Sequence, residues 1–404
     1  MSEPSPPRRA SPAPWWPRLR FALYAGHLLA GFAIAISNSL LGLAVLAAPW
    51  SRDRPLLPAA ARRPAALGAL YLLALGASIL ASPEPAYSAR ALSEVFSFAT
   101  FFLALAWVRG ERQVRWLLDA AILVGAVLAL SGLAQLAVGY GDLDRRIRGP
   151  FSHYMTFAGY LLPLDLVLIA RLMGRRAATA GGGPSGWLDR PAVAWTALAA
   201  INLALAASLT RSAWLALAVA LAGLCALARP RLLLAAPVVA ALFLVVAPVP
   251  MVERALSIAD LGDESNYDRL CMAEAGLRMV AERPLLGIGP DQVKRRYPIY
   301  RHPSAPRWTV PHLHDAFLQV AAERGLPALA AMLALLGGSA LAAWRGWRRG
   351  GPAADVHLGA LGGLTAFAVA ALFENNWGDT EVQRYLLFLL AVPFALADPG
   401  REGG

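Results

Sequence analysis

The chain has 404 residues, of which 57% are hydrophobic and 16% are charged. Soluble globular proteins average roughly 45–50% apolar and about 25% charged residues, so this composition argues against a soluble enzyme. The formal net charge of +11 comes almost wholly from arginine, because Lys294 is the single lysine. The arginines stand in short clusters between apolar runs, which is typical of a multi-pass membrane protein. They do not indicate the basic face of a soluble domain, so no nucleic-acid partner is expected.

Twelve apolar runs predict an all-α, polytopic membrane protein with about 12 transmembrane helices, since a helix crosses a bilayer with about 20 apolar residues. The runs lie near residues 20–36, 37–50, 65–82, 92–108, 114–138, 151–173, 190–208, 212–228, 231–250, 316–343, 357–374 and 384–397. The first two are divided at Ser37-Asn38-Ser39, although residues 20–50 also fit one long helix.

The distribution of basic residues orients these predicted helices. With both ends of the chain in the cytoplasm, 21 arginines fall on the inner side and 16 basic residues on the outer side, as the positive-inside rule favours. The predicted order is a disordered cytoplasmic N-terminus at 1–19, transmembrane helices 1–9 at 20–250, one large outer loop at 251–315, transmembrane helices 10–12 at 316–397 and a cytoplasmic tail at 398–404.

The large outer loop is predicted to contain helices, because so long a connection in a compact domain is usually functional. Apolar residues at helical spacing indicate a helix over Tyr267–Ala281, which Arg283-Pro284 ends. The predicted apolar stripe of this helix consists of Leu270, Ala273, Leu277 and Val280.

Arginines on the outer side oppose the topological trend, so a function is expected for some of them. The candidates are Arg145, Arg146 and Arg148 in one short loop, Arg211 at the edge of a span, and Arg269 in the large loop. Guanidinium groups bind phosphate oxygens with two parallel hydrogen bonds and keep their charge when partly desolvated. A lipid-linked diphosphate at the outer edge of the membrane would need such groups. Pairing with nearby acids is the alternative, and Asp268 is such a neighbour of Arg269.

Two histidines lie where the large loop meets the next span. His312 and His314 precede a predicted membrane helix, for which Asp315 can serve as the N-cap. A neutral imidazole there can act as a general base; a purely structural role is the alternative. His153, beside the arginine cluster, is a possible accessory residue. The His-x-His pair lacks further ligands at suitable spacing, so no metal is expected.

Four stretches of the chain resemble the O-antigen ligase family and related bacterial polysaccharide polymerases. They are SLTRSAWLAL (208–217), DRLCMAEAGLRMVAERPLLGIGPDQV (268–293), HLHDAFLQVAAERGLPAL (312–329) and, more weakly, RGPFSHYMTFAGYLLPL (148–164). Their order and spacing fit the family, with the third stretch closing the large loop. The essential arginines and histidine of the family fall on Arg211, Arg269 and His314, whereas Asp315 stands where the family has asparagine.

The resemblance implies a glycosyltransferase in the bacterial inner membrane, with its large loop and active site facing the periplasm. Its donor would be O-antigen glycan on undecaprenyl diphosphate, its acceptor lipid A–core, and no cofactor would be needed. Arg148, Arg211 and Arg269, with Arg145 and Arg146, would hold the diphosphate in place of a metal ion. His314 would deprotonate the acceptor hydroxyl, and a single displacement would invert the anomeric configuration.

Three other functions compete with the ligase. An O-antigen polymerase tends to have two sizeable outer loops, and a protein O-oligosaccharyltransferase of the same superfamily an extra C-terminal region. One large loop and a chain of this length favour the ligase. A secondary transporter predicts repeated halves and ionisable residues at mid-membrane. The sequence shows no repeat, its spans are nearly free of charge at their centres, and charge is concentrated at one face instead.

Overall fold

The computed structural model describes residues 15–48, 57–139, 146–178, 186–260 and 262–397. Within these ranges the protein is helical and contains no strand, as predicted. The α-helices are α1 (Trp15–Leu29), α2 (Ile34–Ala47), α3 (Ala59–Ala81), α4 (Pro85–Ser88), α5 (Leu92–Trp107), α6 (Gly110–Ala137), α7 (Tyr154–Ala178), α8 (Pro191–Ala207), α9 (Arg211–Ala228), α10 (Ala236–Val246), α11 (Val249–Leu256), α12 (Glu264–Glu282), α13 (Val293–Tyr300), α14 (Ala316–Arg349), α15 (Ala354–Ala370) and α16 (Thr380–Ala395). Residues 1–14, Arg145 and the predicted tail at 398–404 lie outside the described residues.

Six helical segments in the described part of the chain are long and apolar enough to cross a membrane. They are Ala59–Ala81, Pro85–Trp107, Gly110–Ala137, Tyr154–Gly174, Arg211–Ala228 and Ala316–Arg349. Each of the other six predicted spans overlaps a shorter helix. The run at 231–250, for example, forms a 3-10 segment and the 11-residue α10, in which no residue is buried. The multi-pass character is therefore supported, whereas the count of twelve stays a prediction.

The connection between the first two helices lies earlier in the chain than the sequence predicts. α1 ends at Leu29 and α2 begins at Ile34, so Ser37 and Asn38 lie inside α2 and do not divide the two helices. Their polar side chains have buried partners. Ser37 Oγ lies 2.9 Å from His27 Nδ1 and 2.8 Å from Arg384 Nη1, and Arg384 also donates to Asn38.

The centre of the helical bundle is formed by α7, α15 and α16. α7 packs against α15, α8, α9 and α6, and α16 packs against α5, α14 and α15. Residues 382–393 of α16 are all buried. With 16 or 17 residues, α15 and α16 are shorter than a full membrane crossing. The connection between them, residues 371–379, is held at the same end of the bundle as the start of α14, because Ala316 N donates to Ala371 O at 2.7 Å.

Part of the large loop folds into a small core of its own. α12 and α13 pack on the first turns of α14 around Met272, Met279 and Tyr297. The helix predicted over Tyr267–Ala281 is therefore present as α12, but of its apolar stripe only Val280 packs against this core. Leu270 and Leu277 are exposed. The methionine-bearing face is buried instead, because that face meets Leu313 and Leu318.

α14 is interrupted at Gly325, and the preceding loop forms hydrogen bonds with the backbone groups that the interruption leaves unpaired. Gly325 has a φ of 83°, outside the helical region, and Pro327 has no N–H to donate to Glu323 O. Leu326 N donates to Pro284 O instead of to Ala322 O. The two carbonyls thus released accept from the loop: Ile288 N donates to Ala322 O at 2.8 Å, and Gly289 N to Glu323 O at 3.0 Å. The turn that contains Gly287 and Gly289 therefore satisfies the two carbonyl groups that the interrupted helix leaves unpaired.

This break predicts a strong dependence on Gly325. A Cβ at that position would lie 2.2 Å from Leu285 O, and the left-handed backbone conformation itself disfavours a side chain. We expect Gly325→Ala to lower the Tm of the purified protein by about 5 °C or more, from strain of about 1–3 kcal/mol plus the overlap. Gly337→Ala, in the same helix with open space around its Cβ, is the matched control and should not lower the Tm. An unchanged Tm for Gly325→Ala would contradict this account.

Candidate functional site

A polar cavity of about 420 Å³ opens where the first turns of α7 and α9 and the segment just before α14 meet α11, α12 and the α15–α16 connection. Its basic lining residues are Arg146, Arg211, Arg254, Arg269 and Arg307. Its histidines are His153, His312 and His314, and its acids are Asp268, Glu374 and Asp379. We call this space the arginine cavity. Five arginines against three carboxylates leave it with a positive excess, which suits an anionic ligand.

Most residues singled out in the sequence meet in this cavity. Arg211, Arg269, His314, Arg146, His312 and His153 all line it. Arg148 does not; its side chain donates to Ser152 O at 2.9 Å, in the same loop. Asp315 forms the expected N-cap of α14, where its side chain accepts from Leu318 N at 2.9 Å.

Glu374 joins two of the three predicted catalytic residues, Arg269 and His314. Its Oε1 accepts from Arg269 Nη2 at 2.9 Å, and its Oε2 lies 3.1 Å from His314 Nδ1. Ser212 Oγ, at the start of α9, lies 3.4 Å from Oε1. The Glu374 side chain is only 4% exposed, so these partners supply the hydrogen bonds that a buried carboxylate needs. Arg269 thus pairs with an acid 105 residues away, and its neighbour Asp268 pairs with Arg307 at 3.1 Å.

The contact with Glu374 sets the tautomer of His314. A carboxylate only accepts hydrogen bonds, so the proton of a neutral His314 lies on Nδ1. Nε2 then carries the lone pair and can accept a proton, which is the arrangement a general base requires. His314 has a φ of 55°, which an L-residue adopts rarely. Such backbone conformations concentrate at functional sites.

His312 lies against His314, with ring centroids 4.2 Å apart. Burial above all, together with the charge of Arg269, lowers the pKa of His312 to about 3, so its imidazole is neutral at physiological pH. Its Nδ1 accepts from His314 N at 3.3 Å, which places the proton on Nε2. His312 is therefore a neutral hydrogen-bond donor beside the candidate base.

Arg146, Arg211 and Arg254 lie close together in the arginine cavity. Arg211 donates to Ser257 Oγ at 2.9 Å and contacts Asp263 at 3.2 Å. Burial and the charges of Arg146 and Arg211 lower the pKa of Arg254. Burial alone raises the pKa of Asp263, but the Arg211 hydrogen bond and charge outweigh it and the pKa falls. The repulsion among the arginines is relieved when an anion binds between them.

Sequence reasoning missed Glu374 and Arg254. Glu374 ends an apolar run and was counted as part of a span, although the following residues, Asn375, Asn376 and Asp379, make a dense polar segment between two spans. That segment was the available signal. Arg254 follows Glu253 in the sequence, which resembles an ordinary surface pair. In the described ranges no three His, Cys, Asp or Glu side chains are grouped so as to hold a metal ion.

Residues 195–333 match the O-antigen ligase family model. The matched segment contains three of the four stretches that carry the resemblance, those at 208–217, 268–293 and 312–329, and excludes the weaker one at 148–164. A comparison with the curated proteins gave no match. The match includes Arg211, Arg269 and His314, and so confirms the resemblance predicted from the sequence. Over residues 195–333, about a third of its length, the chain is similar to the O-antigen ligase family.

Proposed function

We propose that the protein is an O-antigen ligase of the bacterial inner membrane. It transfers O-antigen glycan from undecaprenyl diphosphate to lipid A–core at the periplasmic face. The family match supports the reaction class. The contact of Glu374 with both His314 and Arg269, inside a cavity with a positive excess, is the observation that carries the proposal.

The arginine cavity suits the diphosphate of the donor. Arg211, Arg254 and Arg269 would hold its oxygens and stabilise the charge that develops as the glycosidic bond breaks. Arg146 lines the same cavity and adds to the positive potential. Arg148 is not included among the proposed diphosphate ligands, because its side chain donates to Ser152 O within its own loop.

His314 is the proposed general base. Its Nε2 takes the proton of the acceptor hydroxyl, the hydroxyl oxygen bonds to the anomeric carbon, and the bond from that carbon to the diphosphate oxygen breaks. The lipid diphosphate leaves as an anion, and the anomeric configuration inverts. Glu374 is a positioning residue, since it orients the imidazole and stabilises its protonated form. Arg269 holds Glu374 in place through their ion pair.

The position of the cavity in the bundle supports a periplasmic site. It lies at the N-terminal ends of α7, α9 and α14. The opposite ends of these helices carry the basic clusters, such as Arg345, Arg348 and Arg349 at the end of α14. By the positive-inside rule those ends belong to the cytoplasm.

The first prediction concerns the base. His314→Ala should lower the rate of glycan transfer about 100-fold or more, which is the usual contribution of a general base. The assay combines purified protein, lipid-linked O-antigen and lipid A–core. His302→Ala is the control, because His302 lies in the same loop, bonds to Ser304 and does not line the arginine cavity. Full transfer by a folded His314→Ala protein would refute the assignment.

The second prediction concerns the diphosphate. Arg254→Ala should raise the KM for the lipid-linked donor roughly 10-fold or more, because a hydrogen bond to a charged group contributes about 1.5–3 kcal/mol. Arg278→Ala is the matched control, since Arg278 lies in the same loop, pairs with Glu274 and is about half exposed. A donor KM equal in the two variants would exclude Arg254 from the donor site.

The third prediction concerns orientation. Both native cysteines are buried, so a single exposed cysteine can be labelled against a low background. In spheroplasts, Ser304→Cys should react with a membrane-impermeant maleimide, whereas Arg349→Cys should react only after permeabilisation. The reverse pattern would place the arginine cavity in the cytoplasm.

A further inference from the structure

A second cavity, of about 390 Å³, adjoins the arginine cavity. The two share Pro311, His312, Asn375 and Asp379 as lining residues. His314 lines the first cavity, and its ring lies 4.2 Å from that of His312 in the shared wall. A molecule held in the second cavity is therefore next to the proposed base without occupying the arginine cluster.

The charge of the second cavity differs from that of the first. Its cations, Arg90, Lys294 and Arg324, face four carboxylates, those of Glu94, Asp291, Glu323 and Asp379. Arg324 is neutralised within the protein, because it lies 2.7 Å from Glu94 and 3.3 Å from Glu323. This space has no positive excess and does not suit a second diphosphate.

The remaining lining groups suit a ligand rich in hydroxyls. Gln319 and Gln383 bring amides that both donate and accept, and Ser93 and Thr380 bring hydroxyls. Carboxylates and amides placed side by side can bind the paired hydroxyl groups of a sugar, each of which donates and accepts at once.

Both cavities are lined by non-glycine residues with a positive φ. In the part of the chain that the structure describes, three residues other than glycine have a positive φ: Leu209, Asp291 and His314. Leu209 and His314 line the arginine cavity, and Asp291 lines the second one. Strained conformations persist where the surrounding structure fixes them, and they cluster at ligand sites.

We propose that the second cavity binds the terminal sugar of the acceptor glycan. This inference rests on the proposed function and adds to it the place of the second substrate. Asp291, Gln319 and Ser93 contact the acceptor sugar, and its reacting hydroxyl passes the shared wall at His312 to reach His314. His312, with its proton on Nε2, donates to that hydroxyl oxygen or to a neighbouring one.

The test separates the kinetics of the two substrates. Ser93→Trp places a large side chain in the second cavity, and Asp291→Asn removes a charge while keeping a residue type that tolerates a positive φ. Both should raise the KM for lipid A–core about 10-fold and leave the KM for undecaprenyl diphosphate-linked O-antigen unchanged, because a lost hydrogen-bonding contact of about 1.4 kcal/mol is a factor of ten. Val95→Trp is the matched control, since Val95 lies on the same helix as Ser93, is 39% exposed and lines neither cavity.

Each outcome has a distinct meaning. If the wild-type protein forms no product on lipid A–core, the proposed function fails. If the wild-type protein is active and folded Ser93→Trp has an unchanged acceptor KM, the function stands and the acceptor site lies elsewhere. A raised donor KM in both variants would likewise overturn the inference, because it would assign the second cavity to the donor glycan.

Discussion

The buried carboxylate of Glu374 is the contact on which the candidate site depends. It holds Arg269 of α12 and His314 at the start of α14, and it lies within reach of Ser212 on α9. Three segments far apart in the sequence are thereby fixed around one side chain that is 4% exposed. An unpaired carboxylate buried to this degree would be strongly unfavourable. The ion pair with Arg269 and the contact with His314 supply the partners that this buried carboxylate needs.

The broken helix α14 supplies the second constraint. In a continuous helix Ala322 O would accept from Leu326 N, and the loop at 284–289 would lose that carbonyl as a hydrogen-bond partner. With the break, the loop amides take those carbonyls, and α12 and α13 are drawn against the first turns of α14. Glu323 and Arg324, immediately before the break, point their charges at the second cavity. One backbone irregularity thus affects both the loop at 284–289 and the second cavity.

The sequence predicted those features of the fold and the site that depend on local pattern and on the chemistry of individual side chains. The helices, the N-cap at Asp315 and the approach of Arg211, Arg269 and His314 follow from apolar runs and short motifs. Periodicity predicted α12 but not its buried face, because which face is buried depends on the surface it meets. Ser37 and Asn38 resembled a break, since nothing nearby in the sequence reveals their partner Arg384.

The partner of Arg269 could not be read from the sequence for the same reason. Asp268 is adjacent in the chain, but successive residues on a helix point in different directions. Arg269 therefore meets Glu374, and Asp268 meets Arg307. Charge pairing across more than 100 residues is decided by tertiary packing, and only the packed bundle brings those side chains together.

The scarcity of lysine has a practical consequence. Lys294, the single lysine, lies on α13, is exposed and lines the second cavity. Apart from the α-amino group of the chain, amine-reactive reagents therefore have one target, since arginine does not react as an amine. A fluorophore or a cross-linker attached through its amine would report on the mouth of this cavity without any engineered residue.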